Sequence, residues 1–182
     1  MLEQSRCGLL VVDMQGSLAR QILDSDRVIA NVRLMIKSAE ILEMPVVTLE
    51  QYPKGLGPTV DELQQQLFEE PRRKTSFNGI QHEAIEKALL DTDRRQWLVC
   101  GIESHIGVYQ TTMGLLGAGF EAEVIADGVS ARHPIDTQVA LEKCRSQGAG
   151  ITTVEMCLYE LMATSLNEHF REILPLIKAH QG

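Results

Sequence analysis

A chain of 182 residues, 44% of them hydrophobic, is long enough to bury a substantial core and has an ordinary globular composition. Its formal charge of −8, with Arg72-Arg73-Lys74 as the nearest approach to a basic run, argues against nucleic acid as a partner, because phosphate binding needs clustered Lys and Arg. No apolar stretch approaches the roughly 20 residues of a membrane span, and the opening MLEQSRCGLLVVD lacks the n-region and cleavage site of a signal peptide, so a cytoplasmic protein with no membrane partner is expected.

The run GLLVVD (8–13) is continuously apolar and ends in an acid, the pattern of a buried parallel strand. Ser25 or Asp26 can cap a helix in which Val28, Val32, Met35, Ile36 and Ala39 recur at helical spacing down to about Leu42, with Pro45 beyond its end. VVTLE (46–50) is the second strand, and QYPKGLGPT, with two prolines and two glycines, is a loop. A short helix is expected over 59–68, RRKTSF (72–77) reads as strand or loop, and Ala84, Ile85, Ala88 and Leu89 mark a further helix. QWLVCG (96–101) is a strand running into a helix over about 106–118. EAEVIAD (121–127) is a strand, 135–147 a helix, GITTVE (150–155) a last strand, and amphipathic helices fill the C-terminus.

Strands separated by helices of this length pair in parallel through right-handed crossovers. The expectation is one α/β domain over 1–182: a three-layer, doubly wound, mostly parallel sheet of six strands, Rossmann-like in plan. In such a sheet, ligands bind beyond the carboxyl ends of the strands. That rule selects Asp13 and Gln15 after the first strand, Glu50 and Gln51 after the second, 101–105 with Glu103 and His105 after the fourth, and Asp127, with Lys74 able to reach the same edge. An acid at a strand end often only caps a turn, a lone lysine is usually solvated, and Asp127 before Gly128 has the look of a turn residue. Cys7, Cys100, Cys144 and Cys157 form no CxxC or Cys/His spacing. Cys7 and Cys100 read as small core hydrophobes, and neither a metal nor a cofactor is expected.

The pieces LLVVDMQ (9–15), RKTSF (73–77), CGIESHIGVYQTT (100–112) and VIADGVSAR (124–132), in that order, resemble the isochorismatase-like hydrolases over nearly the whole chain. EQYPKGLGPTV (50–60) is similar to the subgroup called isochorismatase domain-containing proteins. The resemblance implies a six-stranded parallel sheet, a homo-oligomer of two or more copies, and a catalytic Asp, Lys and Cys. Asp13 and Lys74 fall on the first two, and they should then lie within about 6 Å, the reach of strong charge coupling. A non-proline cis peptide would join Ile102 to Glu103, and the amides of Glu103 and Gly107 would form an oxyanion hole.

The nucleophile's place is taken by Gly107. In the intact triad Asp takes the thiol proton while Lys and a helix N-terminus favour the thiolate; with no side chain at 107 no acyl-enzyme can form there. True isochorismatases also carry Gly at this point: an Asp protonates a vinyl ether and water attacks. That reading makes Asp13 a general acid with a raised pKa. Gln51 falls where those enzymes bind substrate, Phe77 and Glu103 stand where they carry tyrosines, and Glu103 would repel the carboxylates of isochorismate. Gln15 and His105 complete the expected substrate contacts. Three functions stay open at this point. One is a nucleophile-free hydrolase of a small molecule, with Asp13 as acid or base. Another is an inactive family member that binds a small ligand or protein partner. The last is a cysteine hydrolase using a different thiol.

Overall fold

The computed structural model describes residues 1–180. Along the chain, Cys7–Val12 (β1) is followed by a one-turn helix Leu18–Gln21 (α1), the long helix Ser25–Ile41 (α2) and Val46–Gln51 (β2). Two further single turns, Pro53–Leu56 (α3) and Asp61–Gln64 (α4), precede Arg72–Lys74 (β3) and Glu83–Asp91 (α5). Then come Gln96–Ile102 (β4), Tyr109–Gly117 (α6), Glu121–Ser130 (β5), Pro134–Ser146 (α7), Gly150–Thr152 (β6), Val154–Met162 (α8) and Phe170–His180 (α9). The strands form one sheet in the order β3-β2-β1-β4-β5-β6, and every pairing is parallel.

Strand periodicity divides the core. Successive side chains point to opposite faces, so Cys7, Leu9 and Val11 with Leu98, Cys100 and Ile102 pack under α2, α8 and α9. Leu10 and Val12 with Trp97 and Val99 pack under α5, α6 and α7. Both faces are covered, which is why β1 and β4 read as unbroken apolar runs and are buried throughout. The strand order reverses direction between β1 and β4, opening a crevice at their carboxyl ends.

Several boundaries differ from expectation, each for a local reason. The ambiguous 72–77 segment contributes only the three-residue edge strand β3. The helix foreseen over 59–68 is the single turn α4, because Leu63 is its one buried side chain and a short helix needs packing to persist. The last strand stops at Thr152, since Thr153 caps α8 by accepting a hydrogen bond from the Met156 N–H. Asp24, at φ 51, stands at the cap of α2, while the Ser25 hydroxyl donates to the Ala19 carbonyl. β5 runs past Asp127 to Ser130, with a shift in its register against β4 between Val99 and Gly101. Asp127 is therefore no strand end: its carboxylate accepts from the Val154 N–H at the start of α8.

Gly101 sits at that irregularity with φ +121, and a Cβ there would lie 2.0 Å from the Val12 carbonyl oxygen. Gly101→Ala should cost more than about 2 kcal/mol, from backbone strain and from forcing β1 and β4 apart. Chemical denaturation showing an unchanged midpoint would contradict this. Among the described residues, no helix is long and apolar enough to cross a membrane.

Candidate active site

The carboxyl ends of the first four strands supply one cluster. Asp13 follows β1 in the left-handed region, at φ 52. Gln51 ends β2, Lys74 ends β3, and the chain leaving β4 makes a cis peptide between Ile102 and Glu103. Lys74 Nζ donates to Asp13 Oδ2 at 2.7 Å and to Gln51 Oε1 at 2.8 Å. The Lys74 side chain has no exposed surface and that of Asp13 only 8%, so the pair is removed from water and weakly screened.

The other Asp13 oxygen, Oδ1, is buried with no partner among the described residues. Burial pushes the Asp13 carboxyl up to about 6, with the Lys74 charge and hydrogen bond pulling the other way and the nearby Glu50 charge adding to the rise. Glu50 is itself held inside its own loop, where its Oε1 accepts from the Thr59 N–H and hydroxyl.

Gln15 is fully buried and directed inward. Its Nε2 donates to the carbonyls of Gln51 and Gly57, and its Oε1 accepts from the Gln51 N–H. It fastens the loop after β2 to the end of β1 rather than facing solvent. The Gln51 amide bridges the pair to β3, accepting from Lys74 and donating through Nε2 to the Thr75 carbonyl at 2.7 Å. Phe77 is 54% exposed.

After Glu103 the backbone makes a π-helical turn over Ser104–Val108 before α6 begins, in place of a helix starting at 106. Such turns are rare and recur at functional sites. Gly107 lies within this turn. A Cβ on it would stand 2.8 Å from Asp13 Oδ2, 3.2 Å from Val12 Cγ1 and 3.3 Å from the Ile102 carbonyl oxygen. The acid therefore occupies the space beside the position where a nucleophile's side chain would start. His105 leans toward α7 with Nε2 3.9 Å from Asp136 Oδ2, beyond hydrogen-bond reach. Its Nδ1 is buried and has no partner among the described residues. Glu103 Oε1 accepts from Arg132 Nε at 3.0 Å and from the Arg132 N–H at 3.3 Å.

Arg132 was not among the residues selected from the sequence. The signal available was its place two residues past the end of β5, where VSAR closes a matching segment. All four cysteines are buried. Burial pushes the thiols of Cys7 and Cys144 up to about 11 and raises those of Cys100 and Cys157 as well, the reverse of what a nucleophilic thiol requires. Among the described residues, no group of three or more His, Cys, Asp or Glu side chains gathers to hold a metal.

A fully parallel sheet in Rossmann order, with a buried Asp–Lys pair and a cis-peptide turn at its carboxyl edge, defines an α/β protein of hydrolase-like plan. The chain belongs to the isochorismatase family: residues 7–156 match the isochorismatase domain. Isochorismatase domain-containing protein 2 of Homo sapiens is 36% identical over 173 residues, covering 93% of this chain and 82% of that one. The structure of the MAR1 ribonuclease from Caenorhabditis elegans superposes with a TM-score of 0.91 at 34% identity, over 97% of this chain and 92% of that chain. The YcaC gene product from Escherichia coli, named an octameric hydrolase of unknown specificity, shares the fold at a TM-score of 0.87 and 21% identity, over 99% and 96% of the two chains.

Proposed function

We propose that this protein is a hydrolase of a small molecule that works without a covalent thiol. Asp13 moves the proton, Lys74 tunes its ionisation, water is the nucleophile, and the backbone amides of Glu103 and Gly107 steady the developing anion. The carrying observation is the position of Asp13 Oδ2, 2.7 Å from Lys74 Nζ and 2.8 Å from where a Cβ of residue 107 would stand. A carboxyl group pushed up to about 6 exchanges its proton near neutrality, as acid–base work requires. Gln51 and Phe77 meet the substrate in this reading, Gln15 positions Gln51, and His105 sits within the π-helical turn that holds Gly107.

The protein acts as a homo-oligomer in this reading. Exposed apolar side chains at Ile135 and Val139 on α7 and at Met156 and Tyr159 on α8 support that, as does the octameric name of the E. coli relative.

Binding without turnover is the second reading, favoured by the absent side chain at 107. A panel of amides, esters and vinyl ethers separates the two. A labelled RNA belongs in the panel because the C. elegans relative is named a ribonuclease. Any hydrolysis found should survive saturating iodoacetamide, since each thiol is buried and raised. Loss of turnover on alkylation would sink the thiol-free mechanism, and a panel with no turnover at all would hand the protein to the second reading.

A further inference from the structure

Glu103 places a second carboxylate beside the turn that holds Gly107, and an unbalanced acid there would repel any anionic ligand. The structure removes that objection. The Glu103 side chain is only 5% exposed, and Arg132 lies against it with Nε at 3.0 Å, its backbone N–H reaching the same oxygen at 3.3 Å. The Arg132 side chain is 52% exposed. No hydrogen bond from its two Nη groups to any described residue accompanies the Nε contact. A guanidinium held by Nε still presents the Nη1–Nη2 edge, whose two N–H groups match the two oxygens of a carboxylate.

The geometry points to Arg132 as a specificity-determining residue: Glu103 holds it by Nε, and its free edge binds the carboxylate of a small anionic substrate. This rests on the reading of the neighbouring Asp13–Lys74 cluster as a substrate site. A carboxylate suits the site better than a phosphate dianion, because Lys74 is already paired to Asp13 and the Glu50 charge adds to that of the Asp13 cluster. A single fork offers one positive charge. The Glu103 side chain is a positioning group in this scheme, since it touches Arg132 and not the ligand.

Benzoate and benzamide differ little in shape but differ in charge, and saturation-transfer difference NMR measures weak binding of both to the intact protein. Wild type should hold benzoate at least roughly tenfold more tightly than benzamide, the worth of a hydrogen-bonded charge. Arg132→Gln should bring the two ligands level, and Arg132→Lys should retain only part of the preference, having the charge without the fork. Glu103→Gln keeps a neutral Oε1 acceptor for Arg132 Nε while removing the competing negative charge, and should keep or strengthen the preference. The assignment is overturned if wild type binds benzamide as well as benzoate, if Arg132→Gln keeps the preference, or if Glu103→Gln erases it. A site that holds benzoate through Arg132 yet hydrolyses nothing would sink the hydrolase reading and leave this one standing.

Discussion

Asp13→Asn should lower kcat/KM on any hydrolysed substrate by about a hundredfold or more, the usual worth of a positioned acid or base. Asn keeps the shape and a hydrogen-bonding oxygen for Lys74 but holds no exchangeable acid proton. The wild-type profile should carry an inflection near 6, where the Asp13 carboxyl titrates. Activity that falls above it marks Asp13 as an acid; activity that rises through it marks a base. Stability should follow the same ionisation. Burial raises the carboxyl from 3.8 to about 6 in the folded protein, so between those values the folded chain binds a proton that the unfolded chain has released. The stabilisation from protonated Asp13 is thus full at low pH and is lost as pH rises through 6. Asn has no proton to lose, so the Tm of Asp13→Asn minus that of wild type should become more positive from about pH 4 to about pH 7. A variant with undiminished turnover, or a Tm difference moving the other way, removes Asp13 from the chemistry.

Gly107→Ala should damage the site without removing a charged group. The added Cβ meets Asp13 Oδ2 at 2.8 Å and is backed by Val12 Cγ1 at 3.2 Å and the Ile102 carbonyl at 3.3 Å. Neither the strand nor the carbonyl gives way cheaply, so Asp13 must turn, and turning draws it off Lys74. Overpacking of this kind costs about 1–3 kcal/mol, or roughly 2–4 °C of Tm per kcal/mol in a chain of this size. Displacing the acid by an ångström should lower kcat/KM by about a hundredfold. Cysteine at 107 meets the same crowding, so a reactive thiol there requires Asp13 to move aside first. An alanine variant with wild-type rate and wild-type Tm would mean that the missing side chain is incidental to how the site works.

The sheet was legible because buried parallel strands leave an unmistakable mark. GLLVV and WLVCG have no polar residue to spare for a wet face, and β1 and β4 are the two central strands. The carboxyl-edge rule selects Asp13 and Gln51 from the sequence alone and leaves Lys74 only able to reach the same edge. Elements that depend on distant partners were less legible. β3 is strand only because it pairs with Leu49–Gln51, and Asp127 lies inside β5 only because the register shifts opposite Gly101. Gln15 shows the limit most clearly. Its position past a strand end suggests a ligand contact, and it is turned inward by the Gln51 backbone, 36 residues away, and the Gly57 carbonyl, 42 residues away. The Glu103–Arg132 pair spans 29 residues, and no local spacing pattern joins them.

The Gln15 fastening has a consequence for how a ligand is received. A lysine side chain loses about 2 kcal/mol of rotamer freedom when it is fixed. Here Lys74 is fixed by Asp13 and Gln51, and Gln51 is fixed by Gln15 and Thr75. That loss occurs once, when the chain folds, and is not repeated at each encounter. An arriving molecule meets a floor that is already ordered, so its contacts there act as binding energy without first being spent on immobilising the protein.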